Sequence, residues 1–235
     1  NPLYRWSAHA KEGYAWWVHR VRRTFELVDI VRIDHFRGFA DYWEIPAKEP
    51  TAIHGRWLAG PGAALFEAIR AALGDLPIIA EDLGLLTPAV TDLRRQFDLP
   101  GMRILHFAFG GGNDNSYLPH NYDANTVVYT GTHDNNTSQG WWQEASDAER
   151  QHVREYLSLQ PEDEPSIHWE LIRAACASVA DTAIHPMQDV LGLGGQSRMN
   201  LPGVGEGYWE WRFSWEQVKP EHAQRLVRLG GLYGR

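Results

Sequence analysis

Three runs rich in β-branched residues each lead into an acid: Val28-Asp29-Ile30-Val31-Arg32-Ile33-Asp34-His35, Pro77-Ile78-Ile79-Ala80-Glu81-Asp82 and Thr126-Val127-Val128-Tyr129-Thr130-Gly131-Thr132-His133-Asp134-Asn135. A carboxylate at the end of a buried strand is costly unless something pairs with it. Each acid alone has an ordinary reading. Asp34 could pair with Arg32 or Arg37 or serve as a cap, Glu81-Asp82 could cap a helix or loop, and His133-Asp134 could be a hydrogen-bonded structural pair. Their repetition in one topological position points instead to acids gathered at the carboxyl edge of a parallel sheet, where α/β barrels hold their catalytic groups. Two or three carboxylates in one cleft equip a protein for glycosidic-bond chemistry. Strand logic does not choose between Glu81 and Asp82.

The elements that must position these acids alternate. A helix is expected over Ser7–Leu27, running straight into the first acid-tipped strand. Gly60-Pro61-Gly62 breaks the chain before a helix at Ala63–Leu73, and a strand follows at Leu76–Ala80. Thr87 reads as an N-cap with Pro88 at the first helical position, opening a helix to Phe97. Gly101–Phe107 reads as a strand, and Ser146-Asp147-Ala148-Glu149 as a capping box before a helix to Leu157. An acidic linker at Pro161–Pro165, a helix at Ser166–Val179, a short strand at Asp181–His185, a helical turn at Pro186–Leu191, a loop at Leu201–Gly207 and a helix at Glu221–Leu229 complete the chain. About five strands alternating with helices imply βαβ units and a parallel sheet. That sheet is either a small doubly wound one or the later part of an eight-stranded barrel. Asp41–Pro61 reads as a long loop of the kind that builds an active site. No repeat, low-complexity stretch or internal domain boundary is visible.

Composition narrows the chemistry. The 235 residues are 43% hydrophobic, enough for a sizeable core, and carry a formal net charge of −8. That charge, with no basic run, argues against nucleic acid and anionic membrane as partners. No apolar stretch reaches the ~18 residues of a membrane span, and no signal peptide is visible. The chain starts at Asn1, not Met, as the interior of a longer protein would. Cys176 is the single cysteine, which excludes a disulfide framework and favours a reducing compartment, the cytoplasm. Phosphate-loop, dinucleotide and zinc-ligand spacings are absent, Asn113-Asp114-Asn115 reads as a plain turn, and neither metal nor cofactor is expected. Asn135-Asn136-Thr137 is formally a glycosylation sequon, but its place after an acid-tipped strand reads as a site loop. The outlier is tryptophan, with 11 residues. Indole rings suit the C–H faces of sugars.

Beyond pattern, Arg32-Ile33-Asp34-His35-Phe36-Arg37-Gly38, Ile79-Ala80-Glu81-Asp82-Leu83-Gly84 and Thr132-His133-Asp134-Asn135 strongly resemble the amylomaltases, 4-α-glucanotransferases related to the α-amylase clan. Asn1-Pro2-Leu3-Tyr4, the run Gly38–Ala47 and Arg198-Met199-Asn200-Leu201-Pro202-Gly203 fit the same family, in the same order, over nearly the whole chain.

The resemblance implies a (β/α)8 TIM barrel. Residues 1–235 would form its C-terminal part, about strands 4 to 8, with the first strands and an N-terminal insertion missing. Such a part would expose unpaired strand edges and is expected to be inactive and poorly folded alone. By position, Asp34 is implied as nucleophile, Glu81 as general acid/base and Asp134 as transition-state stabiliser. Arg32 would keep Asp34 ionised. Arg32, His133, Asn200, Arg198 and Trp43 are implied in substrate binding. The implied reaction is retaining double displacement on maltooligosaccharides or amylose, with glucose or a glucan 4-hydroxyl as acceptor. Tyr42, Trp43, Trp57, Tyr122, Trp141 and Trp142 are the aromatics available for acceptor subsites. A hydrolase of the same clan and a catalytically dead glucan-binding protein are the rival readings.

Overall fold

The computed structural model describes residues 2–84 and 87–235. They form two compact units, Asn1–Met102 and Arg103–Arg235. Asn1, part of the amylomaltase-like opening, lies outside the described residues.

In the first unit the expected long N-terminal helix is two: α1 (Trp6–Lys11) and α2 (Ala15–Phe25). Gly13 and Tyr14 both take left-handed backbone angles, φ +61° and +57°, which a right-handed helix cannot continue. The first acid-tipped strand is short, β1 (Val31–Ile33). The expected loop at 41–61 is instead an antiparallel hairpin of β2 (Asp41–Glu44) and β3 (Arg56–Ala59), registered Asp41↔Ala59 through Glu44↔Arg56. The aromatic residues Tyr42, Trp43 and Trp57, the last two paired across the strands, suit a pleated surface. Helix α3 (Ala63–Leu73) forms as expected, burying Leu65, Phe66 and Ile69 on one stripe. Strand β4 (Ile78–Ala80) pairs parallel with β1. Helix α4 (Pro88–Gln96) follows, with Thr87 at the cap position and Pro88 first. The Thr87 hydroxyl makes no capping bond, so Pro88 and the backbone angles alone define that start. Phe36, Phe39, Phe66, Ile78, Ala80 and Leu93 anchor the core.

A three-stranded sheet runs β5 (Gly101–Ile104), β6 (Thr126–Tyr129) and β7 (Thr182–Ile184), in that order; β5 begins with the last two residues of the first unit, and β6 and β7 lie in the second. Strands β6 and β7 are parallel, Val127↔Thr182 through Tyr129↔Ile184. Between them run α5 (Ser138–Glu144), α6 (Asp147–Leu157) and α7 (Ile167–Ala177). The capping box at Ser146/Glu149 is formed. The acidic linker is a 3-10 helix, Pro161–Ser166. Helix α7 is apolar nearly all round and is the central helix, with Ile167, Leu171, Ile172 and Ala175 fully buried. After β7 come α8 (Met187–Val190) and, past an irregular stretch, α9 (Pro220–Tyr233). No helix among the described residues is long and apolar enough to cross a membrane.

Candidate active site

The β1–β4 register fixes the first two acids. Ile33 lies opposite Ala80, so Asp34 and Glu81 are the next residues on adjacent parallel strands. The ladder continues past the strand ends: Glu81 donates its N–H to the Ile33 carbonyl (2.9 Å), and Phe36 donates to the Glu81 carbonyl (3.0 Å). Asp34 is highly exposed, 78%, with Arg32 Nη2 3.0 Å from its Oδ1. The ion pair expected from the Arg32-Ile33-Asp34 spacing is therefore present, and the carboxylate stays reachable.

Glu81 is treated differently. Its Oε2 accepts the His35 N–H at 2.6 Å and its Oε1 the Leu83 N–H at 3.1 Å. His35 presents that N–H from a left-handed backbone (φ +49°), an uncommon conformation for a side chain of this size. Partial burial pushes the Glu81 carboxyl above its usual value. The two N–H groups and Arg32 oppose that shift, and the Asp34 charge adds to it. Two neighbouring acids thus have divergent surroundings, one exposed and cation-paired, the other biased toward its proton.

The structure also separates Glu81 from Asp82. Asp82 is 2% exposed, its Oδ1 accepts the Met102 N–H at 2.8 Å, and Arg94 Nε lies 3.2 Å from its Oδ2. Asp82 is committed to a buried internal ion pair.

In the second unit Asp134 is not at the strand tip. Strand β6 stops at Tyr129 and Asp134 rides the following loop. Its Oδ1 accepts Asn200 Nδ2 at 2.7 Å, its Oδ2 lies 3.4 Å from His133 Nε2, and its backbone carbonyl accepts Arg198 Nη2 at 3.1 Å. Arg198 Nε also donates to the Asn200 carbonyl (2.8 Å), which stiffens the pair. Asp134, His133, Arg198 and Asn200 are thus brought together. Sequence reasoning missed Trp209, whose ring lies 5.1 Å from that of His133 and whose backbone N–H donates to the Met199 carbonyl (2.7 Å). Its only sequence signal was membership of an aromatic-rich run.

Trp43 lies in the first unit, in the hairpin, and lines a groove of about 1040 Å³ together with Leu3, Glu44, Ile45, Pro46 and Pro50. Its indole N–H donates to the Ala52 carbonyl (2.8 Å). Trp57, its cross-strand partner at 5.4 Å, lies under the Arg37 guanidinium at 4.1 Å. Of the other aromatics expected on loops, Tyr42 lies on β2. Tyr122 and Trp142 are buried, Trp141 and Trp142 belong to α5, and Trp141 stacks on His106. No metal-holding group of three His, Cys, Asp or Glu occurs among the described residues.

The 4-alpha-glucanotransferase family model matches residues 1–218. A 4-alpha-glucanotransferase of Synechocystis is 50% identical over the whole chain, and the chloroplastic/amyloplastic 4-alpha-glucanotransferase of Arabidopsis thaliana is 49% identical. The chain covers 46% of the first and 41% of the second, so it spans less than half the length of these relatives. The amylomaltase from Streptococcus agalactiae, solved in complex with acarbose, superimposes on all of the chain with a TM-score of 0.95 at 37% identity, the chain covering 47% of it. The amylomaltase from Corynebacterium glutamicum, at 19% identity and TM-score 0.72, shares the fold.

Proposed function

Because the chain belongs to the 4-alpha-glucanotransferase family, glycoside hydrolase family 77, we propose that the whole protein moves α-1,4-glucan segments from a donor maltooligosaccharide or amylose to the 4-hydroxyl of glucose or another glucan. The observation that carries the reading is the pair at the β1 and β4 ends: exposed Asp34 beside Arg32, and Glu81 with its carboxyl raised by burial. In this reading residues 1–235 are the C-terminal part of a (β/α)8 barrel, about strands 4 to 8. The parallel β1–β4 and β6–β7 pairs support that.

Protonated Glu81 gives its proton to the glycosidic oxygen while Asp34 attacks the anomeric carbon. The donor's leaving end departs as an alcohol and a β-glycosyl ester forms on Asp34. Glu81, now a carboxylate, takes the proton of the acceptor 4-hydroxyl as that oxygen displaces Asp34, restoring the α configuration. Retaining enzymes hold such carboxyls about 5–5.5 Å apart. Asp134, set by Asn200, accepts donor-sugar hydroxyls as charge develops at the anomeric centre, with His133 and Arg198 beside it. The Trp43 face offers a stacking surface for the glucan and excludes water. The acarbose complex of the Streptococcus agalactiae amylomaltase supports an oligosaccharide substrate. No step calls for a metal or cofactor, and the protein acts in the cytoplasm without nucleic acid or membrane.

Incubating the full-length protein with maltotriose and resolving products by chain length tests this. Glucose with a ladder longer than the substrate is expected. Glucose and maltose alone would mean a hydrolase of the same clan, and no products would leave a glucan-binding protein.

A further inference from the structure

Asp189 takes no part in the scheme above, yet it is only 1% exposed. It belongs to α8. Its Oδ2 accepts Thr130 Oγ1 at 2.5 Å and Ser138 Oγ at 2.8 Å, and its Oδ1 accepts the Ser138 backbone N–H at 2.7 Å. Thr130 and Ser138 are themselves fully buried, and they are the two ends of one loop. Thr130 follows β6, Ser138 opens α5, and residues 131–137 between them carry His133 and Asp134. One carboxyl group therefore closes that loop at its base with three hydrogen bonds; burial pushes this carboxyl above its usual value, and the bonds from Thr130 and Ser138 oppose that shift.

A second layer braces the clamp. The Ser138 hydroxyl proton goes to Asp189, so its oxygen accepts from His106 Nε2, 3.0 Å away. Burial pushes His106 down to about 3, so its ring is neutral. That ring lies flat on Trp141, centroids 5.0 Å apart and planes 6° off parallel. It fills the space over Gly131, where a Cβ would come within 2.6 Å of it. Inside the loop, Asn135 Oδ1 accepts both the N–H and the hydroxyl of Thr132 at 2.9 Å.

The neighbouring residue on α8 reaches the other side of Asp134. Gln188, also buried, donates its amide to the Ser197 carbonyl at 3.2 Å. Ser197 immediately precedes Arg198, which bonds the Asp134 carbonyl, and lies three residues before Asn200, which bonds its carboxylate. One short helix thus ties both the loop that carries Asp134 and the strip that orients it.

We propose that Asp189 is a positioning residue for Asp134. It fixes where that carboxylate stands relative to Asn200 by pinning both ends of the 131–137 loop to α8. This rests on the reading of Asp134 as the group that meets the donor sugar.

The test is Asp189→Asn in the full-length protein. Asparagine keeps the shape, and its oxygen still serves the Ser138 N–H. Its amide, however, faces two hydroxyls that need an acceptor. A displacement of about 1 Å at a reacting group costs about 10²-fold. We therefore expect kcat for maltotriose disproportionation to fall by about that factor, with KM changed by less than about threefold. Adding Asp189→Asn to Asp134→Asn should cost little more than Asp134→Asn alone, because the residue it positions is already disabled. A residue that only holds the fold would give losses that multiply. Hydrogen–deuterium exchange of residues 131–137 should quicken in Asp189→Asn, and this readout is independent of activity. If the wild type makes no ladder, or Asp134→Asn keeps its rate, the functional reading falls while the exchange data still decide the positioning. Should Asp189→Asn not fold, Thr130→Val removes one bond of the clamp and is expected to change kcat and exchange in the same direction. Wild-type kcat, multiplying losses or unchanged loop exchange would overturn the proposal.

Discussion

On the proposed function the chain neighbours Glu81 and Asp82 have opposite duties, and replacing each should separate activity from stability. Asp82→Ala removes the carboxylate from a guanidinium that is only 4% exposed. Breaking a buried pair from one side costs about 3–5 kcal/mol. Arg94 keeps its bond from Nη1 to the Leu99 carbonyl (2.8 Å), so the lower end, about 3 kcal/mol, is the expected loss. Since the shift per kcal/mol shrinks with chain length, from roughly 2–4 °C at 150–250 residues, Tm of the full-length protein should fall by several degrees. Glu81→Gln should behave in reverse. The folded-state pKa of Glu81 is raised from 4.5, so the ionised form is disfavoured by folding. That penalty is absent below the unfolded pKa and grows as pH rises through the folded one. At pH 7 glutamine removes it, and Tm should hold or rise slightly. Activity, in contrast, loses its proton donor and should fall by at least about 10²-fold. Calorimetry and maltotriose disproportionation on the same purified full-length variants give both numbers. A Tm loss in Glu81→Gln as large as in Asp82→Ala, or wild-type turnover in Glu81→Gln, would refute the assignment of roles.

Other outcomes follow from the same geometry. In Asp34→Asn the Glu81 carboxyl should titrate lower than in the wild type, because one charge that raises it is gone; carboxyl 13C NMR reads this, and an upward shift would contradict it. Asn200→Ala deletes a 2.7 Å bond to the Asp134 carboxylate, and at about 1.5 kcal/mol for a partly exposed charged bond kcat/KM should drop roughly tenfold. Trp43→Leu removes the ring face over the groove and should raise KM for long acceptors about 2–10-fold with the donor step unchanged; acceptor-competition kinetics would show it. Prolonged dialysis against a chelator should leave the transfer rate unaltered, and a loss restored by a divalent cation would point to a metal site.

What the sequence made legible was whatever depends on neighbours along the chain. The β-branched runs before Asp34 and Glu81, the Ser146/Glu149 capping box and the Gly60-Pro61-Gly62 break are local signals, and each became the element expected. The Gly13-Tyr14 break escaped because helical periodicity continues across it, and only the backbone angles reveal two left-handed residues. The hairpin at 41–59 escaped because Pro46, Pro50 and Gly55 at its tip read as loop throughout. Choosing Glu81 over Asp82 needed the positions of Arg94 and the Met102 N–H, which no spacing rule supplies. Asp189 was invisible for the same reason, since its three bonds reach residues more than 50 positions away.

The β2–β3 hairpin has a practical consequence for anyone wishing to redirect this protein. All four of its strand pairs are with itself, and the chain is tied back at its root, where Gly60 and Gly62 donate to the Ala40 and Phe39 carbonyls. Gly55 must stay glycine, since a Cβ there would collide with the Trp43 indole and come within 2.7 Å of the Glu44 carbonyl, but residues 45–54 are a separable attachment. Their length and composition can be randomised while the β1–β4 register that sets Asp34 beside Glu81 is left alone. On the proposed function, a library confined to that tip would vary how a glucan is held without altering the Asp34–Glu81 pair, and most of its members should remain folded.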